Sequence, residues 1–211
     1  MKLKTAVLPA IFSLFLLFGE LVMATEEPKF TVSLKEGNFE VRSYPALVAA
    51  QVSATGTRDE ASNAGFKLLA GYIFGGNTRK QSIAMTAPVA QAQAGNETIA
   101  MTAPVIQTGV VGQSEAWTVR FIMPSAYTLE TLPTPNNTKV QLLSLAPARF
   151  AAVKFSGLAR EADVALRTAE LNTYITKHAL QPAGPPALAR YNPPWTPWFM
   201  RRNEVLIPVA P

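Results

Sequence analysis

The chain of 211 residues has no cysteine and a single histidine, and only 16% of it is Asp, Glu, Lys or Arg. Without cysteine there is no disulfide, no thiolate nucleophile or thiolate metal site, and no residue to carry a thioether lipid anchor. One histidine, with no paired carboxylates and no Ser/His/Asp pattern, leaves little for nucleophilic or acid–base chemistry, so the chain reads as a non-enzyme. Runs of five basic residues and zinc-finger spacings are also missing, and nucleic acid is not an expected partner. The shortage of charge does not mean disorder. Hydrophobic residues make up 48%, and 17 Pro and 12 Gly spread along the chain predict many turns and a β-rich single domain.

The first 24 residues stand apart. Lys2 and Lys4 precede an apolar run from Ala6 to Phe18, and Val22-Met23-Ala24 supplies small or aliphatic residues before Thr25. This is the pattern of a secretory signal peptide over 1–24, with one mature domain over 25–211. Glu20 interrupts the apolar run short of the roughly 20 residues that span a bilayer, so stable membrane insertion after cleavage is not expected. Cleavage removes two positive charges and one negative from +5 and leaves +4, a mild bias toward anionic ligands. The expected location is the periplasm or the exterior.

Further along, apolar residues around Phe39, Val41 and Ala46 to Val52 suit two strands meeting at a bend at Tyr44-Pro45. Thr57-Arg58-Asp59-Glu60 is a capping box. Ala61, Ala64, Gly65, Leu68, Leu69 and Tyr72 then predict the buried stripe of a helix stopped by Gly75-Gly76. The heptapeptide IAMTAPV follows at 83–89 and again at 99–105, with Gly95-Asn96 between the copies. Its period-2 pattern predicts two consecutive strands, each ending at Pro88 or Pro104 on a sheet edge or bulge. Trp117, Val119, Phe121 and Met123 alternate as a further strand.

A weaker repeat spans the chain. Pro45 to Ala50 corresponds to Pro147 to Ala152, Arg58 to Arg160, and Tyr72-Ile73 to Tyr174-Ile175, all at an offset of 102. Two similar halves follow, the second with a helix over about 160–180 that buries Val164, Leu171 and Ile175. The expected fold is α+β, a pseudo-twofold distorted antiparallel β-barrel with two helices and grooves between helix and sheet.

Taken together, IAMTAPV after a helix ending YIFGGN, then MPSAYTLETLP, FSGL, YNPPW and RRNEV resemble the SOUL haem-binding family in order and spacing from about Lys29 to Val209. The resemblance implies a barrel similar to that of gyrase-inhibitor-like sensor domains, haem or another tetrapyrrole as the ligand, and no catalysis for most members. It also implies ligand contacts along the first helix. There the chain departs from the family pattern, with Asn63 and Gly71 at two positions where members carry cations and Ser43 where some carry a proposed axial histidine.

The residues themselves support part of that site. At about 100° per residue, Phe66 lies off the core stripe, and Ser62, Leu69, Ala70 and Ile73 group around it as an apolar shoulder, with Arg58 and Lys67 as nearby cations. Trp195, among Tyr191, Trp198, Phe199 and four prolines, could close over a flat ligand or face an envelope protein partner, and Arg201 and Arg202 beside it form an anion fork. His178 reads as a helix-end residue, and Met85 and Met101 as core filling, so no metal ligand is assigned. The alternative to a tetrapyrrole carrier is a non-enzymatic interaction module or a sensor of another amphipathic ligand.

Overall fold

A computed structural model describes residues 26–93, 116–193 and 195–211. The leader, the second IAMTAPV copy with Met101 and the Gly95-Asn96 turn lie outside the described residues.

Among the described residues nine strands form one continuous antiparallel sheet: β1 Thr31–Glu36, β2 Phe39–Tyr44, β3 Leu47–Thr55, β4 Val89–Gln93, β5 Ala116–Ile122, β6 Gln141–Leu145, β7 Ala148–Ser156, β8 Ala187–Arg190 and β9 Arg202–Val209. Helix α1, Arg58–Ile73, follows β3, and helix α2, Glu161–Lys177, follows β7. The spatial order is β1-β2-β7-β9-β8-β4-β5-β3-β6. Leaving out β1, this order is its own mirror about the β8–β4 seam, with β2, β7, β9 and β8 matching β6, β3, β5 and β4. The two halves inferred from the sequence are therefore real.

The expected barrel is not. β1 and β6 remain as the two edges of an open sheet. Each half instead wraps its own helix. One core gathers Val52, Leu69, Tyr72, Ile73, Val119 and Phe121 beneath α1, and a second gathers Val41, Val153, Leu171, Tyr174, Val205 and Ile207 beneath α2. With each helix packed over its own half, and only a small third cluster of Ala152, Ala189 and Leu206 besides, the sheet has no common lumen to close upon.

The offset also needs correction. Helix residues match at 102, as in Leu69 and Leu171 or Ile73 and Ile175, but strand residues match at 101, since Ala50 and Val52 face α1 as Ala151 and Val153 face α2. Both β3 and β7 run into a left-handed glycine, Gly56 with φ 111° and Gly157 with φ 118°. One residue is then inserted before α2. Because side chains alternate with period 2, a uniform offset of 102 would turn every β7 residue to the wrong face.

Helix α1 begins as its capping box predicts. The Thr57 hydroxyl accepts from the Glu60 backbone N–H, while the Glu60 carboxylate accepts from the Thr57 backbone N–H at 2.9 Å. It ends at Gly75, which takes φ 105°. Its buried stripe is rotated from the expected one: Ala61, Ser62, Gly65, Leu69, Tyr72 and Ile73 are buried, and Ala64 is exposed. The cause is Gly65, where a Cβ would lie 2.6 Å from Val119 Cγ2, so the helix backbone itself rests on the sheet there.

The first IAMTAPV copy is not a strand. Ser82 and Thr86 make isolated bridges to Phe74 and Glu26, and the Thr86 hydroxyl donates to the Ile122 carbonyl. Pro88 offers no N–H to a ladder, and regular pairing starts at Val89, in the central strand β4 rather than at an edge.

Candidate functional site

The outward side of α1 is the first candidate. Phe66, Ala70 and the C-cap Phe74 recur at four-residue spacing, with Phe66 37% and Phe74 66% exposed. Phe66 leans its edge on the buried Phe121 ring, 5.4 Å between centroids, which holds the exposed ring in place. Gly71 lies on the same side, with nothing within 4 Å of where a Cβ would stand. The result is an outward apolar strip of Phe66, Ala70 and Phe74 with Gly71 and Lys67 exposed beside it.

The other residues assigned to this shoulder lie elsewhere. Leu69 and Ile73 are wholly buried in the α1 core, because the rotated stripe turns them toward the sheet. Ser62 is buried too, and its hydroxyl accepts from Arg190 Nη1 at 3.1 Å. Arg58 Nη2 donates to the Ala159 carbonyl at 3.4 Å, and the Arg58 carbonyl accepts from Gln91 Nε2 at 2.7 Å. Arg58 thus ties the start of α1 to the turn before α2. Arg190 was not anticipated. It closes β8 and bridges Ser62 to Asp59, 3.1 Å away, and only its place in the three-dimensional register reveals that role.

Trp195 is 82% exposed and makes no hydrogen bond or ring contact among the described residues. Among the described residues no hydrogen bond or ring contact links its loop to the α1 strip, so the geometry joins Phe66, Lys67 and Ala70 but leaves Trp195 and Arg201 in a separate feature. Arg201 Nε donates to the Thr196 carbonyl at 2.8 Å. Arg202 is committed to Glu27 at 2.6 Å and lies over the Tyr191 ring at 3.5 Å, so the expected anion fork is used by the fold.

A buried charged cluster lies on the sheet face away from the helices. Arg42 is 1% exposed and grips Glu204 twice, at 2.6 and 3.1 Å, while its Nε donates to Glu40 at 2.8 Å and the guanidinium lies over the Phe30 ring. Tyr191 adds its hydroxyl to Glu204 at 2.7 Å. Burial alone would raise the Glu40 carboxyl, but hydrogen bonds from Lys35 and Arg42 and the charges of Arg42 and Lys154 hold it down at about 2. Burial lifts the Tyr191 hydroxyl far above its ordinary range, and Glu204 adds to the shift. Every member of this cluster satisfies another. Its role is to lock β2 and β9 in place around β7, and it holds no spare donor set for a ligand. Arg42 in β2 and Glu204 in β9 are 162 residues apart in sequence, which is why no local pattern pointed to them.

His178 caps the C-terminus of α2, its ring tilted against Tyr174 at 4.6 Å between centroids and its Nε2 3.0 Å from the Glu36 carboxylate. Among the described residues no group of three His, Asp or Glu side chains is placed to hold a metal ion. Hollows of about 480 Å³ lie along α2, lined by Asn172, Thr173, Thr176 and Lys177 and, next to them, by Ile175 and Leu180 to Pro182. Both are open, and neither is walled by an aromatic side chain, unlike the α1 strip.

Comparison with known proteins places this geometry. The family model described as SOUL heme-binding protein matches residues 25–208. The chain belongs to the SOUL heme-binding family. Nothing matches it among curated proteins. Among solved structures it is similar to the EcmrR C-terminal domain, at 9% identity and TM-score 0.55, covering 82% of this chain and 96% of that one. It is also similar to a hydrolase from Listeria innocua, at 12% identity and TM-score 0.56, covering 84% and 94%. At such identities these likenesses establish a shared fold. Within this SOUL chain, Asn63 and Gly71 lie in α1 and Ser43 in β2 beside the buried Arg42.

Proposed function

We propose that this SOUL protein binds haem or a related tetrapyrrole as a carrier or buffer, laying the flat ring system along Phe66, Ala70, Gly71 and Phe74. One observation carries the reading. At the helix offset of 102, the residues of α2 equivalent to Phe66, Ala70 and Phe74 are Thr168, Asn172 and Thr176, although a buried Leu, Tyr and Ile stand at equivalent positions of both helices. The fold does not require an apolar exterior on its helices. Exposed aromatic surface that the architecture can do without is best explained by a ligand.

The residues fit such a group by shape and polarity. Gly71 lets a planar ring approach the helix backbone, the two Phe side chains supply apolar contact, and Lys67 is the exposed cation available to a propionate. Bound iron would supply redox and ligand-exchange chemistry of its own. This chain adds no histidine to it, since His178 is engaged at the end of α2 and Ser43 stands at the other position. The reading includes export to the periplasm or exterior through the leader, and no catalytic step.

Titration with hemin tests this directly. Saturable sharpening of the Soret band is expected, with Phe66→Asp weakening binding at least about tenfold because it sets a charge against the ring. His178→Ala is expected to leave spectrum and affinity unchanged, and iron-free protoporphyrin to bind as well as hemin. A titration indistinguishable from hemin with an unrelated protein would overturn the proposal.

A further inference from the structure

The loop between β8 and β9 puts four large apolar side chains into water within six residues: Trp195 is 82% exposed, Trp198 60%, Phe199 60% and Met200 63%. The loop is braced to do so. Tyr191 N–H donates to the Arg202 carbonyl and Arg202 N–H to Asn192 Oδ1, which closes its base, while Thr196, Met200 and Arg201 N–H groups donate to Pro193, Pro197 and Trp198 carbonyls within it. Such apolar exposure is held in place by the fold.

Two further observations say what covers it. Trp117 donates its indole N–H to the Gly56 carbonyl at 3.0 Å, but neither Trp195 nor Trp198 has an indole acceptor among the described residues. An exposed apolar ring with an unspent donor at its edge matches the interfacial zone of a bilayer, where tryptophan sits with its ring among acyl chains and its N–H toward carbonyls and headgroups. From Tyr191 to Asn203 there is also no acidic residue, and Arg201 and Arg202 follow directly on the apolar tip.

Among the described residues no helix is long and apolar enough to cross a bilayer, so the contact is peripheral.

We infer that the loop from Tyr191 to Arg202 is a membrane-docking element that inserts Trp195, Trp198, Phe199 and Met200 into the interfacial layer of a lipid bilayer. This does not depend on tetrapyrrole binding, which uses the α1 strip.

The experiment uses the full chain with vesicles of phosphatidylglycerol and phosphatidylcholine whose acyl chains are brominated near the carbonyl. Tryptophan emission is expected to shift to shorter wavelength and lose intensity on mixing. With Trp195→Phe and Trp198→Phe together, which leave Trp117 alone as reporter, both changes should vanish while hemin titration stays as in the parent chain. Parent emission that ignores brominated lipid overturns the inference. So does emission already shifted to the blue without vesicles and unquenched by them, which would mean that the chain's own leader covers the loop. A photocrosslinker at position 198 that captures an envelope protein while lipid quenching is missing would assign the surface to a protein instead.

Discussion

The two halves of this molecule agree inside and differ outside. Leu69, Tyr72 and Ile73 under α1 match Leu171, Tyr174 and Ile175 under α2, so each helix buries the same set of shapes on its own sheet. Their outer faces differ along one strip: Phe66, Ala70 and Phe74 on one, Thr168, Asn172 and Thr176 on the other. Those threonines spend their hydroxyls on their own helix, Thr168 on the Val164 carbonyl at 2.7 Å and Thr176 on Asn172 at 3.0 Å. A duplicated fold thus provides its own control. What both halves keep is needed for folding, and what one alone has is available for function.

The contact between helix and sheet is where the halves should break most differently. Gly65 lets α1 touch Val52 and Val119, and its counterpart in α2 is Arg167, half-buried and paired with Glu170 at 2.7 Å. Gly65→Val should cost about 3 kcal/mol, as overpacking with no room to relax does. Arg167→Ala should cost less than about 1 kcal/mol, because the ion pair is partly solvated. Urea midpoints of the two variants measure this difference.

Acid should separate the halves next. The counterparts of Glu40 and Arg42, at the strand offset of 101, are the uncharged Gln141 and Leu143 in β6. The Glu40 carboxyl is held at about 2 in the fold, below its unfolded value of about 4.3. Its contribution, up to about 3 kcal/mol, is therefore complete above pH 5 and disappears as pH falls toward 2. Hydrogen exchange followed down this range should show β2, β7 and β9 losing protection before β3, β5 and β6, and Glu40→Gln should flatten the dependence. Equal loss in both halves would contradict the asymmetry.

The smallest contrast lies in the paired tyrosines. Tyr72 donates its hydroxyl to the Pro133 carbonyl at 2.9 Å, and burial pushes its ionisation up to about 12. The Tyr174 hydroxyl is buried with no hydrogen-bond partner among the described residues. Tyr72→Phe should cost about 1 kcal/mol and Tyr174→Phe nearly nothing, or slightly stabilise. Thermal melts of the two variants, compared with the parent, read out the pair.

Local signals in the sequence located what depends on neighbours in the chain. The capping box at Thr57, the stop at Gly75 and the strand around Val119 all appear where period and cap chemistry put them. What failed depended on distance. The rotation of the α1 stripe follows from Val119 pressing on Gly65, and the open sheet follows from two cores instead of one, neither of which a periodicity contains. The same holds for the site. Phe66, Lys67 and Ala70 emerged as an outward strip, but Phe74 was not included because the glycines that follow it drew attention to the helix end alone. Ile73 fell outside the expected stripe, and Leu69 at its border was counted in both stripe and shoulder, because the stripe was drawn centred on Ala64 and Leu68 and not on Leu69 and Ile73. The Arg42–Glu204 pair left no trace at all, since alternating charge in a strand ordinarily means a solvated face.

The central claim is that the difference between the helix exteriors is the binding site. A variant carrying Phe66→Thr, Ala70→Asn and Phe74→Thr gives α1 the exterior of α2 without touching a wholly buried position. Hemin titration of this chain against the parent is the most direct measurement. The account predicts that the triple variant keeps its fold by circular dichroism and loses saturable Soret binding by more than about tenfold, or about 1.4 kcal/mol. Undiminished binding by a folded triple variant would contradict it.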